Sequence, residues 1–346
     1  MKVYRLAEIY LPPAECLKPV LTALSAIASR GIDLAFLSHV YSLPDGLLEM
    51  PSLQNIITSC KKKLLELFAD VPSVIKDPEQ RKHFCALPFA AVWAWLRFKN
   101  LKVHSESCVL FLLSAWVNNK EHPVCNPHQL KQLAHRVRVG QLSPTYLHSV
   151  LPDLKWFQEI CSSSGDGRFV RTLQVMSAQV GTSCLGWDGP AGWIADGRNG
   201  TAMPSSVSLE WNLGAEDIIS IDESPLNCNK ICPVKAYFDG IFYELLVKKV
   251  AKAKGDSAVT LGVFLRVASD SMSQVLNSWD PDGQPCVLRT ELWASNKMRE
   301  LHGVLGQAGL GRGYSDLLDR SGATIAEVVT PFLNEGKLNL KAIIKA

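Results

Sequence analysis

The sequence lacks the cysteine spacing and the strong charge that mark several common classes of protein. Its 346 residues include ten cysteines, but no two of them form a C-x-x-C pair. A zinc site needs four ligands at recognisable spacing, so we expect no metal and no cofactor. Scattered cysteines indicate reduced thiols in a reducing compartment. The net charge of +3 is too small to indicate binding to nucleic acid or to a membrane.

A secretory signal and a long apolar run are also missing. The first ten residues contain no extended apolar core followed by a cleavage site. The longest apolar stretch, residues 84–96, is interrupted by Pro88 and is shorter than the ~20 residues that a membrane helix needs. We therefore expect a cytoplasmic or nuclear protein.

Catalytic motifs are absent as well. There is no G-x-S-x-G nucleophile motif, and the glycine-rich residues 306–313 lack the G-K-[ST] ending of a phosphate-binding loop. Asp217, Asp222 and Glu223 form an acidic patch, which we interpret as part of a loop without the spacing of a calcium site. The sequence predicts no catalytic, cofactor-binding or metal-binding residue and therefore no enzyme. A hydrolase in the C-terminal half is the remote alternative.

The first 160 residues show helical periodicity with well-marked helix starts. Apolar residues recur at helical spacing along residues 53–68, and the three lysines 61–63 lie on the opposite, solvated side. Ser105 is expected to cap a helix that carries Trp116. Three further helix starts pair an N-cap acceptor with a proline; they are Asp77-Pro78, Asn126-Pro127 and Ser143-Pro144.

The composition changes after residue 160. Residues 161–206 are rich in glycine, serine, proline and aspartate, and we interpret them as a linker whose Trp187 and Trp193 pack on a neighbouring domain. Beyond the linker, apolar residues alternate with polar ones, and such strands joined by turns predict an antiparallel β-sandwich. The predicted strands are residues 207–213, 260–267, 287–293 and 337–345. In the last of them, after the turn at residues 334–336, Asn339, Lys341 and Lys345 share the polar face.

Four short motifs occur in order in the helical half. They are Leu87-Pro88, then Leu101, Val103, Ser105 and Glu106, then Trp116-Val117, and last Leu133, Val137, Arg138, Leu142, Ser143, Tyr146 and Leu147. As a set they resemble the BACK domain, the helical region that follows the BTB/POZ domain in substrate receptors of cullin-3 ubiquitin ligases. Residues 4–10 are similar to a helix near the end of a BTB domain, so the resemblance implies that the BTB core is missing or truncated.

The β half is similar to the TRAF/MATH-like domain of plant and algal BTB–BACK proteins. The resemblance is carried by the segments 209–213, 261–265 and 332–338. It implies an α+β multidomain protein, in which an all-α BACK-like helical domain precedes a TRAF/MATH-like antiparallel β-sandwich. The expected domains are a BTB remnant at 1–16, the helical domain at 17–160, the linker at 161–206 and the β-sandwich at 207–346.

The resemblance also implies a function, which is a non-catalytic adaptor that joins cullin-3 to a protein substrate held by the β domain. No substrate-binding or cullin-binding residue can be named from the sequence. The alternative is a scaffold or competitor that lacks the BTB core and does not assemble a ligase.

Overall fold

The structure is a computed structural model, and it describes residues 19, 22–28, 31–119, 125–143, 146–164, 170, 192–193, 195, 197–198, 205–251, 258–268, 286–295, 297–305, 312–318 and 321–345. Three sequence predictions lie outside these residues. They are the BTB remnant at 1–16, the packing of Trp187 and most of the glycine-rich stretch 306–313.

The chain divides into two compact units. The helical unit comprises residues 1–141 and 186–201, and the β unit comprises residues 142–185 and 202–346. The chain therefore passes from the first unit to the second, returns, and leaves again. An N-terminal helical region followed by antiparallel sheets confirms the predicted α+β fold class, while the four predicted domain ranges stay predictions.

Helices form the described part of the helical unit, and residues 22–28 are the first helical stretch. The helices that follow are α1 (Leu34–Tyr41), α2 (Asp45–Leu48), α3 (Gln54–Phe68), α4 (Val71–Lys76), α5 (Pro78–Cys85), α6 (Phe89–Leu96), α7 (Glu106–Val117) and α8 (Pro127–Ala134). Single 3₁₀ turns lie at Pro51–Leu53 and Val139–Gln141.

The helix starts follow the predicted caps closely. The Asp77 side chain accepts the backbone N–H groups of Glu79 and Gln80, and Asn126 forms a reciprocal capping box with Gln129. Ser105 occupies the N-cap position of α7, although its side chain accepts no helix N–H. The cap predictions at residues 77 and 126 are therefore confirmed, because the side chain and the proline act locally.

Tryptophans fill the core of the helical unit. Trp95 is fully buried and donates its indole N–H to the Phe68 carbonyl at 2.9 Å, and Trp116 donates to the Leu87 carbonyl at 2.7 Å. Burying an indole without an acceptor would cost free energy, so these bonds fix where each ring can lie. Helix α7 sits at the centre, with every residue from Glu106 to Trp116 buried.

The β unit contains two antiparallel sheets, and its described residues also form helices and single helical turns. The first sheet has the strand order β1-β9-β6-β7, and in the second β2 and β3 both pair with β4, followed by β5 and β8. The strands are β1 (Ser206–Leu213), β2 (Asn229–Ile231), β3 (Ala236–Phe238), β4 (Ile241–Ala251), β5 (Val259–Val267), β6 (Cys286–Ala294), β7 (Lys297–Leu305), β8 (Arg312–Tyr314) and β9 (Leu338–Lys345). The helices are α9 (Lys155–Ser164), α10 (Ala215–Glu223) and α11 (Ile325–Val329), and a single π turn spans Tyr146–Val150.

The four predicted strands all form, at β1, β5, β6 and β9. Strand β9 alternates strictly between buried and half-buried residues, so Asn339, Lys341 and Lys345 share the outer face as predicted. The turn that precedes it has positive φ at Glu335 (51°) and Gly336 (75°), as a type I′ turn requires.

The acidic patch is not part of a loop, and that prediction was wrong. Asp217, Asp222 and Glu223 belong to helix α10, whose inner side buries Ile218 and Ile221. Asp217 accepts the Gly214 backbone N–H at 3.0 Å and pairs with Lys230. Glycine at the N-cap gives a weaker sequence signal than serine or aspartate, which is why the helix start was missed.

Candidate protein-binding face of the four-stranded sheet

The outer face of the sheet β1-β9-β6-β7 carries an unusual set of side chains. Along β6, Thr290, Leu292 and Ala294 are buried, so the alternating positions Glu291 and Trp293 point to the other side. A tryptophan on the exposed face of a sheet is costly to leave in water, because it presents a large apolar ring there. This face is therefore the candidate functional surface of the β unit.

Strand register places one row of side chains across all four strands. Glu210 on β1 is opposite Lys341 on β9, Lys341 is opposite Trp293 on β6, and Trp293 is opposite Met298 on β7. Directly opposed residues have Cβ atoms about 4.5–5.5 Å apart, so neighbours in the row can contact one another. Met298 is 42% exposed, and the row thus runs from an ion pair at one sheet edge to an exposed thioether at the other.

A shallow groove of about 390 Å³ lies over this row. Its volume lies at the lower end of the range found for ligand-binding pockets, about 300–1,000 Å³. Its lining combines one aromatic ring with amides, a hydroxyl and one charge of each sign; the residues are Glu210, Asn212, Trp293, Ser295, Asn339, Leu340 and Lys341.

Ion pairs balance the charge of the face. Lys341 Nζ lies 2.7 Å from Glu210 Oε1, and Lys345 donates a hydrogen bond to Glu291. That hydrogen bond from Lys345 lowers the pKa of the Glu291 carboxyl, and the Trp293 indole N–H, 3.4 Å from the other carboxylate oxygen, acts in the same direction. The Lys341–Glu210 pair is exposed, and such pairs contribute little stability, so either partner can exchange for a charge on a bound protein at small cost.

The lining of the groove contains neither histidine nor cysteine. It therefore lacks the Ser–His or Cys–His pair that commonly activates a nucleophile. In the helical unit, burial raises the pKa of the Cys60 and Cys85 thiols to about 11, which leaves them protonated at neutral pH. Among the residues that the structure describes, no three His, Cys, Asp or Glu side chains converge in a way that could hold a metal ion.

The motif residues of the helical half form a buried framework. Leu87, Leu101 and Val103 are buried, and the indole N–H of Trp116 donates to the Leu87 carbonyl. Glu106 accepts the backbone N–H of Arg138 at 3.1 Å, which ties the second motif to the fourth. The fourth motif also supplies Tyr146, whose hydroxyl donates to the Gly240 carbonyl at 2.7 Å within the β unit.

Comparison with protein families identifies this framework. Residues 50–152 match the BACK family, BTB And C-terminal Kelch. The match confirms the BACK region that the four motifs predict, and it extends beyond Gln141 into residues that cluster with the β unit. A comparison with curated proteins returned no match. Within the described part of the chain, no helix is both long and apolar enough to cross a bilayer.

Sequence reasoning missed the candidate face but had part of the signal. It predicted both the strand that carries Trp293 and the polar face of β9. The remaining signal is the alternation in residues 290–294, where inward Leu292 places Trp293 outward. The pairing of β6 with β9 joins residues far apart in the chain, and no local pattern predicts it.

Proposed function

We propose that the chain is a non-catalytic adaptor, in which the BACK region serves assembly with cullin-3 and the β unit recruits a protein substrate. The observation that carries the proposal is the BACK match at residues 50–152. BACK domains are typical of cullin-3 substrate adaptors. In this proposal the β unit is TRAF/MATH-like, and the protein acts in the cytoplasm or nucleus.

The mechanism needs no bond chemistry from this chain. Holding a target protein beside a transfer enzyme raises its effective concentration, which accelerates a reaction that other subunits perform. The groove lining contains neither histidine nor cysteine, which is compatible with such a role.

The groove over Trp293 supports the recruiting role of the β unit. Interfaces between proteins are enriched in tryptophan and methionine, and a few such residues carry most of the binding energy. Trp293 and Met298 form an apolar centre, and the Glu210–Lys341 pair lies beside it as part of a polar rim.

Direct binding tests the assembly role. The full chain is immobilised and titrated with purified cullin-3, and saturable binding is expected. The variant Trp116→Ala removes the buried indole that donates to the Leu87 carbonyl. It should weaken cullin-3 binding by disturbing the BACK framework. Substrate capture without any cullin-3 binding would instead favour the scaffold without ligase assembly.

Substitution of Trp293 tests the recruiting role. A photoreactive amino acid at position 293 should cross-link a partner protein, whereas the same group at Ser208, on the same face but outside the groove lining, should not. For the purified partner, Trp293→Ala is expected to raise Kd roughly 30-fold or more, equivalent to about 2 kcal/mol. Equal affinity of Trp293→Ala and Ser208→Ala would contradict this role for the groove.

A further inference from the structure

A segment far from the BACK match in sequence is seated on the helical unit. We call it the clasp, and its described residues are Gly192, Trp193, Ala195, Gly197 and Arg198. Trp193 is fully buried, and its indole N–H donates to the Ala134 carbonyl at 2.8 Å. The Trp193 carbonyl in turn accepts the Gly140 backbone N–H at 2.8 Å. Trp193 is thus held by hydrogen bonds through both its ring and its backbone.

The second anchor is Arg198, which enters a cage of acceptors. Its guanidinium makes four hydrogen bonds, two to the Glu106 carboxylate at 3.0 and 3.1 Å and one each to the carbonyls of Leu96 and Phe98. Both charged side chains are only 1% exposed. The planar fork of arginine fits a carboxylate with two parallel bonds, a geometry that lysine cannot reproduce.

Helix ends explain why the cage accepts a cation. The Leu96 and Phe98 carbonyls lie at and just beyond the C-terminus of α6, where unpaired carbonyls carry partial negative charge. Glu106 is the first residue of α7, where its own carboxylate is stabilised by the helix dipole. The Arg198 guanidinium lies between them and donates hydrogen bonds both to the carbonyls at the end of α6 and to the carboxylate that begins α7.

The receptor and the segment it holds come from different parts of the chain. Every residue that contacts the two anchors through these hydrogen bonds lies within residues 96–140, inside the BACK match. The clasp lies outside the match, and its Arg198 is 92 positions beyond Glu106 in the chain. The receptor is therefore a built site, and the clasp occupies it as a peptide ligand would.

Two glycines of the clasp show how closely it is seated. A Cβ atom added at Gly192 would lie 1.9 Å from the His135 carbonyl oxygen, which is backbone and cannot move aside freely. A Cβ added at Gly197 would meet only the Gln141 side-chain oxygen at 3.7 Å, an ordinary contact. Alanine is therefore expected to disrupt the contact at Gly192 and to be tolerated at Gly197, so the two substitutions form a matched pair.

We propose that the surface formed by Leu96, Phe98, Glu106, Ala134 and Gly140 is a peptide-binding site for segments of the form G-W-x-x-x-x-R, which this chain fills with its own clasp. The ligand class is a peptide with a tryptophan and an arginine five residues apart, and the occupant in the isolated chain is the clasp. The site is independent of the groove over Trp293.

Binding in trans tests the proposal on the full chain. The variant Trp193→Ala/Arg198→Ala empties the site, and a fluorescent peptide of residues 188–201 is then titrated by anisotropy. Saturable binding is expected, together with a peptide-dependent rise in Tm of the variant. The wild-type chain should bind at least about tenfold more weakly, because its tethered clasp competes at high effective concentration.

Peptide variants check that binding uses the observed contacts. Gly192→Ala in the peptide should weaken binding roughly 10- to 100-fold through overpacking, and Gly197→Ala should leave it unchanged. A folded double variant that does not bind the peptide, or equal binding of the two glycine variants, overturns the proposal.

A second experiment leaves every contact intact in case the double variant does not fold. Specific protease sites are placed at residues 183–184 and 203–204 of the otherwise wild-type chain, and both are cut. The released segment is expected to co-elute with the rest of the protein and to exchange with excess labelled 188–201 peptide. Loss of the segment during gel filtration without peptide would refute a separable binding site.

Discussion

The buried carboxylate of Glu106 connects distant segments of the helical unit. Glu106 is 2% exposed, yet it accepts bonds from Arg198 and from the Arg138 backbone, so its charge is fully compensated. No sequence pattern predicts this pair, because ninety-two residues separate its members and periodicity reports only local structure. Glu106 itself was noted as a motif residue, but its partner was placed in a linker.

Removal of Arg198 should destabilise the helical unit strongly. Arg198→Ala leaves the Glu106 carboxylate buried without its cation, and we expect a loss of about 3–5 kcal/mol in the free energy of unfolding. Denaturant titration of the full chain measures the effect. Lys63→Ala is the control, since the Lys63–Glu66 pair is exposed and should contribute less than about 1 kcal/mol.

The outer sheet face should show a specific dependence on pH. The hydrogen bond from Lys345 holds the pKa of Glu291 below its unfolded value of about 4.3. Its stabilising contribution is therefore present above that pH and is lost as the pH falls through the folded-state pKa. Glu291→Gln should lower the urea midpoint at pH 6 and have a smaller effect at pH 3.

The Lys345→Met variant controls for other acidic groups. It removes the same pair from the opposite side, so it should reproduce the change in pH dependence, and the double variant should add nothing further. An additive double variant would show that Glu291 titrates independently of Lys345.

Strands of the β unit were predictable where the sequence alternates or where turn residues bound an apolar run. Strand β9 alternates and was found, whereas the first seven residues of β4 are all buried, so no period of two appears in its sequence. Strands β2, β3 and β8 are only three residues long and give no periodic signal. Strand β5 is also largely buried but was predicted, because its apolar run is bounded by turn residues. Local patterns therefore identified alternating strands and one bounded apolar run, and missed β4 and the very short strands.

The turn between β3 and β4 packs against Tyr146, whereas the similar turn before β9 has no such neighbour. Asp239 and Gly240 have φ of 49° and 80°, and the turn before β9 has the same sign pattern at Glu335 and Gly336. A Cβ at Gly240 would lie 2.6 Å from the Tyr146 hydroxyl oxygen, whereas at Gly336 it would meet nothing within 4 Å. Substitution at Gly336 therefore tests backbone strain alone, whereas substitution at Gly240 adds a steric clash.

Substituting each glycine by alanine measures that difference. Gly336→Ala should cost roughly 1–2 kcal/mol, the penalty of a left-handed backbone conformation. Gly240→Ala should cost at least about 2 kcal/mol more, because it also displaces Tyr146 and breaks its hydrogen bond. Equal shifts in chemical unfolding would contradict the role assigned to Tyr146.

The whole molecule consists of two units with interleaved chain segments. The BACK match ends at residue 152, whereas residues from 142 onward cluster with the β unit. The end of the helical domain therefore differs between the family match, which reaches residue 152, and the spatial clustering, which ends the first segment of the helical unit at Gln141. Sequence composition could not reveal this, because it marks where the chain changes character and carries no information on which residues pack together.

Hydrogen exchange should show whether the two units open independently. Arg198→Ala is expected to speed exchange at the start of α7, and Gly240→Ala to speed exchange in β3 and β4, because each altered contact lies within one unit. Mass spectrometry of peptic fragments measures both. Accelerated exchange in both units for either variant would show a single cooperative unit instead.

The distance along the chain between Glu106 and Arg198 also affects synthesis of the protein. Ribosomes add about 5–20 residues per second, so extending the chain by the 92 positions from Glu106 to Arg198 takes roughly 5–20 seconds. During that time the nascent helices contain a carboxylate whose guanidinium partner does not yet exist. The Glu106 carboxylate can therefore be buried as an ion pair only after the clasp has been synthesised.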